Sequence, residues 1–101
     1  MKKYEIYVPL KYNDGKKIEP QKLKEIRQQL IAVFGSVTTS PRSAPFEGTW
    51  RYRGVEFVDD IVRIEIITEE DLQFFRNFKR QLKRRLRQLD ILITVQDIHT
   101  I

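Results

Sequence analysis

One segment, from Thr68 to Leu89, constrains the fold more than any other, because its apolar residues recur at intervals of three and four. These residues are Leu72, Phe75, Phe78, Leu82, Leu86 and Leu89. At about 100° of rotation per residue, this spacing predicts a helix with one apolar stripe directed at a core. Thr68 is a suitable N-cap, and Asp71 follows three residues later, as in a capping box. Phe74 is predicted to lie at the core boundary or in an interface.

The other side of this predicted helix is strongly basic. Seven cationic side chains occur between positions 76 and 87 with no acid among them: Arg76, Lys79, Arg80, Lys83, Arg84, Arg85 and Arg87. The remaining 12 of the 19 basic side chains are outnumbered by 14 acidic ones, although the whole chain has a net charge of +5. The positive charge is therefore concentrated on one helix.

A basic helix face has two interpretations. Cations stabilise the C-terminal end of a helix, so the pattern is also typical of an ordinary solvated surface. However, neighbouring cations without interleaved acids repel one another by a few tenths of a kcal/mol per pair. That cost favours a surface that binds a polyanion, and we expect the phosphates of RNA or DNA. An acidic protein partner is the alternative ligand.

The predicted nucleic-acid-binding residues come from two segments. On the helix they are Arg76, Lys79, Arg80, Lys83, Arg84 and Arg87. Arg51 and Arg53 join them from the segment TWRYR at positions 49–53. Aromatic and basic side chains that alternate on a strand can stack on bases and hold phosphates. Equally, Trp50 and Tyr52 could be core residues with exposed arginines between them.

The rest of the chain predicts alternating strands and one further helix. In order, the predicted elements are a strand at 3–11, a helix at 20–34 ended by Gly35, a short extended piece at 36–39, a loop at 40–48, strands at 49–53 and 55–58, a strand at 60–67 and a final strand at 91–98. Leu23, Ile26, Leu30, Val33 and Phe34 form the apolar stripe predicted for the first helix.

This order is β-α-β-β-α-β, with an optional extra strand after the first helix, and it predicts one α+β domain over residues 1–101. A ferredoxin-like sandwich, with two helices on one face of an antiparallel sheet, fits it best. The other sheet face is predicted to carry Tyr7, Ile61, Ile67 and Leu92, or the Trp50–Tyr52 pair, depending on the register. Such an apolar face predicts either self-association, most simply as a two-fold homodimer, or cover by the 40–48 loop.

Few residues suggest catalysis. There is no cysteine, and His99 is the only histidine, so thiol and histidine-centred sites are not expected. Asp59 and Asp60, with Glu56 and Glu65 nearby, leave a small metal-dependent nuclease as an alternative. Adjacent strand residues lie on opposite faces, which argues against a shared ion. No nucleotide-binding or hydrolase fingerprint occurs, so no cofactor or resident metal is predicted.

No apolar stretch approaches the roughly 20 residues that a membrane-spanning helix requires, and the first ten residues do not resemble a secretory signal. A cytoplasmic location without a membrane partner is therefore expected. Together these features predict a small non-enzymatic binding protein that self-associates and binds nucleic-acid backbone through a basic helix.

Overall fold

The computed structural model describes residues 1–70 and 72–101, which form five strands and two helices. The strands are β1 (Lys2–Pro9), β2 (Thr38–Thr39), β3 (Phe46–Tyr52), β4 (Val55–Thr68) and β5 (Ile93–Asp97), and the helices are α1 (Pro20–Phe34) and α2 (Leu72–Arg85). Asp71, and with it the predicted capping box, lies outside the described residues. Neither helix in these two ranges is long and apolar enough to cross a bilayer.

All strand pairs in the sheet are antiparallel, and β1 and β4 form its centre. β1 pairs with β4 from Lys2 opposite Thr68 to Pro9 opposite Ile61, and with β5 on its other side. The second side of β4 pairs with β2 and then with β3. A loop at positions 40–45 separates β2 from β3. It contains prolines at 41 and 45, which cannot donate a hydrogen bond to a strand ladder.

The core lies between the sheet and the two helices. Alternate residues of β1 and β4 project into it, and its buried members include Tyr4, Ile6, Val8, Ile64, Ile66, Ile26, Leu30, Phe75, Phe78, Leu82 and Leu86. The predicted alternation in both central strands is therefore confirmed. The strand order, with both helices packed on one face, is that of a ferredoxin-like α+β fold, as predicted.

The first helix begins and ends where the sequence predicts. Pro20 occupies its first turn, where a missing N–H costs nothing. Gly35 takes a left-handed conformation with φ of 84° and donates its N–H to the Ile31 carbonyl. The predicted stripe is wrong at Val33, which is 51% exposed.

The second helix is shorter than the predicted segment Thr68–Leu89. Thr68 is the last residue of β4, and its hydroxyl accepts a hydrogen bond from the Glu70 N–H instead of capping the helix. At the stripe's two ends, Leu72 and Leu89 are 39% and 42% exposed, so the prediction that both are core residues is wrong. Phe74 is half-buried against the core, at the boundary that the sequence predicts.

The C-terminal end of α2 is closed by a Schellman motif. Arg87 is left-handed, with φ of 49°, and donates its N–H to the Arg84 carbonyl, while the Gln88 N–H reaches back to the Lys83 carbonyl. The buried Gln88 amide then donates to the carbonyls of Leu86 and Lys11. Because these tertiary bonds fix the turn, the helix ends at Arg85 although the apolar periodicity continues.

Beyond the centre of the sheet, β3 and the first half of β4 extend as a two-stranded ribbon, which we call the β3–β4 ribbon. Its strands pair from Phe46 opposite Ile61 to Tyr52 opposite Val55, joined by Arg53 and Gly54. Both turn residues have positive φ, of 50° and 77°, as a two-residue hairpin of this kind requires. The strands predicted at 49–53 and 55–58 therefore form a hairpin.

Candidate functional site

The basic surface of α2 consists of Arg76, Lys79, Arg80, Lys83, Arg84 and Arg87. Arg76, Arg80, Arg84 and Arg87 are exposed, while the two lysines are half-buried along their stems. The apolar stripe between Phe75 and Leu82 packs into the core, and this packing turns the basic residues outward. The fold therefore gathers six of the eight predicted site residues on one helix and its terminal turn.

Few of these cations are neutralised by the protein itself. Lys79 pairs with Asp90, with 3.3 Å between Nζ and Oδ1. Arg80 donates to the Asn77 amide oxygen, and the Arg87 guanidinium lies 4.7 Å from the centre of the Tyr12 ring. Within the described residues, Arg76, Lys83 and Arg84 have no side-chain partner. Most of the positive charge of this surface is thus open to an external anion.

Arg85, which the prediction left out of the site, is held within the protein. Its guanidinium donates to the Gln29 side chain of α1 at 2.9 Å, so it ties the two helices together. Lys22 of α1 likewise donates to the Arg85 carbonyl at 3.3 Å, at the negative end of the α2 dipole.

The other two predicted residues lie on a different element. Arg51 stands on the β3–β4 ribbon opposite Glu56, and Arg53 is part of its turn, with its guanidinium 5.3 Å from the Tyr52 ring centre. Trp50 and Tyr52 project to the opposite face of the ribbon from Arg51. The structure therefore does not join these two arginines to the basic surface of α2 in one continuous site.

The sheet face without helices, the open face, carries a cluster of paired charges that the sequence did not predict. Arg63 lies 3.2 Å from Glu65 and 3.8 Å from Glu5, while Lys3 lies 3.3 Å from Glu5. These residues alternate with core residues on two strands, so the sequence pattern places them on the sheet face opposite the core. Only the strand register shows that they lie next to one another. Two cations balance two carboxylates, so this cluster offers no net charge to a ligand.

Tyr7 fixes one of these carboxylates. Its hydroxyl donates to Glu5 Oε2 at 2.8 Å. This hydrogen bond is the main cause of a pKa of Glu5 below its ordinary value of 4.5, and the charges of Lys3 and Arg63 act in the same direction. The same bond raises the pKa of Tyr7. Glu5 therefore stays ionised, and the cluster balanced, throughout the neutral range.

The sequence offered two alternative sets of apolar residues for the sheet face without helices. Both sets lie on the open face. Trp50, Tyr52 and Phe57 form an aromatic row on the ribbon, with Trp50 and Phe57 stacked at 4.6 Å between ring centres. Ile67 and Leu92 are 52% and 58% exposed. The 40–48 loop does not cover them, because its residues Arg42, Ser43 and Pro45 line a cavity against α1.

A cavity of about 270 Å³ opens beside the aromatic row. Tyr7, Trp50, Ile61 and Leu92 give it mostly apolar walls, and Asp59 adds a carboxylate. The Trp50 indole N–H donates to Asp59 Oδ2 at 2.7 Å, which orients both groups. We call this space the aromatic cavity.

The acidic residues do not assemble into a metal site in the described part of the chain. Asp59 and Asp60 lie on opposite faces of β4, and Asp59 is engaged by Trp50. No group of three or more carboxylate, histidine or cysteine side chains comes together within residues 1–70 and 72–101. The geometry thus gives the nuclease alternative no support.

Comparison with known proteins identifies the fold but not a family. No protein-family model matches the sequence, and no curated protein matches it significantly. Among solved structures, the chain is similar to the divalent cation tolerance protein CutA1 from Thermus thermophilus, with a TM-score of 0.65 and 16% identity over 99% of this chain and 86% of that one.

Two further structures have the same fold. CutA1 from Oryza sativa matches 98% of this chain and 80% of its own at 15% identity, with a TM-score of 0.65. A phage SAM lyase in complex with S-methyl-5′-thioadenosine matches 95% of this chain and 80% of its own at 15% identity, with a TM-score of 0.62. At such low identity these likenesses establish a shared ferredoxin-like architecture alone.

Proposed function

We propose that this chain is a small non-enzymatic binding protein that self-associates through its open face and binds nucleic-acid phosphates through the basic surface of α2. The observation that carries the proposal is that Arg76, Lys83 and Arg84 stand on an exposed helix without partners in the described residues. The contacts would be to backbone, so binding is expected to depend on salt and only weakly on sequence.

The contrast between the two charged regions supports this proposal. On the open face, every arginine and lysine of the cluster has a carboxylate within 4.0 Å. On α2 only Lys79 has one among the residues that the structure describes. Cations that serve only as surface charge are usually interleaved with acids, so a row without them favours an external anion.

Self-association is supported by the uncovered apolar area of the open face. Phe46, Tyr52, Ile67 and Leu92 are each 41–58% exposed there. The charges between them are already paired, which lowers the cost of covering them with a second copy. Two-fold symmetry, as the sequence predicts, would place two α2 surfaces on one particle.

Neutralising Arg80 and Arg84 by glutamine is expected to weaken binding of a labelled 20-nucleotide RNA about tenfold at low salt. Each phosphate contact on a single strand contributes about 0.7 to the slope of log affinity against log salt, so the slope should fall by about 1.4. Fluorescence anisotropy at several salt concentrations measures both quantities, with a DNA of the same sequence in parallel.

The matched control neutralises Lys24 and Arg27, two exposed cations on the side of α1 that faces β2 and β4. It removes the same charge from a different surface and should leave the slope unchanged. If both double variants behave alike, or if the wild type binds neither polymer, the nucleic-acid proposal is wrong and an acidic protein becomes the better candidate partner.

The aromatic cavity supports a second candidate function, the binding of a nucleoside-like small molecule. Trp50 offers a ring for stacking and Asp59 a hydrogen-bond acceptor, and the volume of about 270 Å³ approaches that of common small-ligand sites. One neighbour of the same fold was solved with S-methyl-5′-thioadenosine, which makes that compound a reasonable probe.

Trp50 is the only tryptophan, so its fluorescence reports on the aromatic cavity directly. Titration with S-methyl-5′-thioadenosine should change the emission saturably, and Asp59→Asn should weaken binding about tenfold by removing a charge-assisted acceptor. Glu56→Gln, on the opposite face of the ribbon, is the control that should bind normally. An unchanged spectrum at millimolar ligand rules this candidate out.

A further inference from the structure

A third cavity, distinct from the one lined by Ser43 and Pro45, lies on the helix side of the sheet. It has a volume of about 190 Å³ and opens between α1 and the strands β2 and β4. Val8, Val62 and Ile64 form its apolar floor. We call it the α1 cavity.

The charged residues that line the α1 cavity are all cationic. Lys24 and Arg27 come from α1, and Arg42 from the loop that follows β2. None of the three has an ion-pair or hydrogen-bond partner in the described part of the chain, and no aspartate or glutamate of that part lines the cavity. Three unpaired cations around one apolar space create a local preference for an anion.

Thr39 provides an independent observation at the same place. It pairs with Ile64 and therefore projects to the helix side of the sheet, where it lines the α1 cavity. Its hydroxyl is the one buried side-chain polar atom in the described residues without a hydrogen-bond partner. A buried hydroxyl without a partner is costly, and rotation of the Thr39 side chain toward a bound acceptor would remove that cost.

The size of the cavity limits the ligand. An apolar cavity of about 150 Å³ is large enough to hold benzene. At about 190 Å³, the α1 cavity has room for a body of that size and little more than one small polar group. Inorganic phosphate would leave the apolar floor uncovered, and most of a nucleotide would lie outside the cavity.

We propose that the α1 cavity binds a small carboxylate with a compact apolar body. The body covers Val62 and Ile64, the carboxylate is held by Arg27 and Arg42, and it accepts a hydrogen bond from Thr39. A guanidinium suits this role because it donates two parallel hydrogen bonds to a carboxylate. This site is separate from the nucleic-acid surface and does not depend on it.

Benzoate is the probe, with benzamide as its uncharged counterpart and inorganic phosphate as an anion without an apolar body. Amide shifts in ¹H–¹⁵N spectra of the intact chain should move saturably at Thr39 and Ile64 with benzoate. Binding of benzamide and of inorganic phosphate should each be at least about tenfold weaker. Equal affinity for benzoate and benzamide, or no saturation, would overturn the proposal.

Single variants locate the ligand. Arg27→Gln and Arg42→Gln should each weaken benzoate binding about tenfold. Lys16→Gln, in the turn before α1, removes the same charge outside the cavity and should leave benzoate binding unchanged. Thr39→Val keeps the side-chain shape, so it should weaken benzoate binding and raise the urea midpoint of the ligand-free protein. A lower midpoint would mean that the hydroxyl already has a partner, which contradicts the proposal.

Discussion

Replacing Phe75 by alanine is expected to lower the free energy of unfolding by about 3–5 kcal/mol. Phe75 is 3% exposed, and its ring stacks on Tyr4 at 3.6 Å between centres and on Phe34 at 5.6 Å. It therefore joins α2, β1 and the end of α1. Domains of this size have a free energy of unfolding of about 5–15 kcal/mol, so the variant would lose a large part of it.

The neighbouring Phe74 is the matched control, because the same truncation is made one residue away. Phe74 is half-buried and makes an edge contact with Phe34 at 5.1 Å. Phe74→Ala should cost about 1–2 kcal/mol, as expected for partial burial. Urea unfolding of both variants measures the difference. Equal losses would mean that α2 is rotated about its axis, so that both rings are buried to the same extent.

Changing Ile67 to lysine is expected to weaken self-association by about 2–4 kcal/mol, or roughly 30- to 1,000-fold in the dissociation constant. Ile67 is 52% exposed on the open face, opposite Lys3 of β1. In a self-associated particle the new ammonium would be buried beside that like charge, whereas in a single chain it would remain in water. Light scattering after size exclusion, over a range of protein concentrations, measures the change.

Val33→Lys provides the comparison, since Val33 is 51% exposed but lies on α1, on the other side of the sheet. It should leave the particle mass unchanged. A wild-type protein with the mass of one chain at micromolar concentration would contradict the proposed interface, and so would an Ile67→Lys variant that associates normally. The same masses distinguish a two-fold dimer from a larger assembly.

Most of the architecture could be predicted because its determinants are local. The alternation of Tyr4, Ile6 and Val8 in β1 and the 3–4 spacing of Phe75, Phe78 and Leu82 in α2 each reflect burial of one face. Gly35 ends α1 because a left-handed residue is needed there. The order of helices and strands along the chain then allows only a few strand orders in the sheet.

The predictions that fail concern features fixed by contacts between residues far apart in the sequence. The end of α2 depends on bonds from Gln88 to Lys11, which no local pattern reveals. The sequence predicts separate strands at 55–58 and 60–67, yet β4 runs through Asp59 without a break because β3 pairs with this part of it. The α1 cavity likewise combines residues around positions 24, 39, 42 and 62, so its cations resemble ordinary surface charge in the sequence.

The β3–β4 ribbon has a consequence for how this chain can vary in length. Its outer rungs, beyond Ile61, have no partner in β1. Removing one residue from each strand together would shorten the hairpin and leave the alignment nearer the core intact. Removing a single residue from one strand would instead turn Trp50 and Tyr52 to the opposite side. Viable deletions in this hairpin should therefore occur in matched pairs, and odd ones should be tolerated only with a compensating bulge.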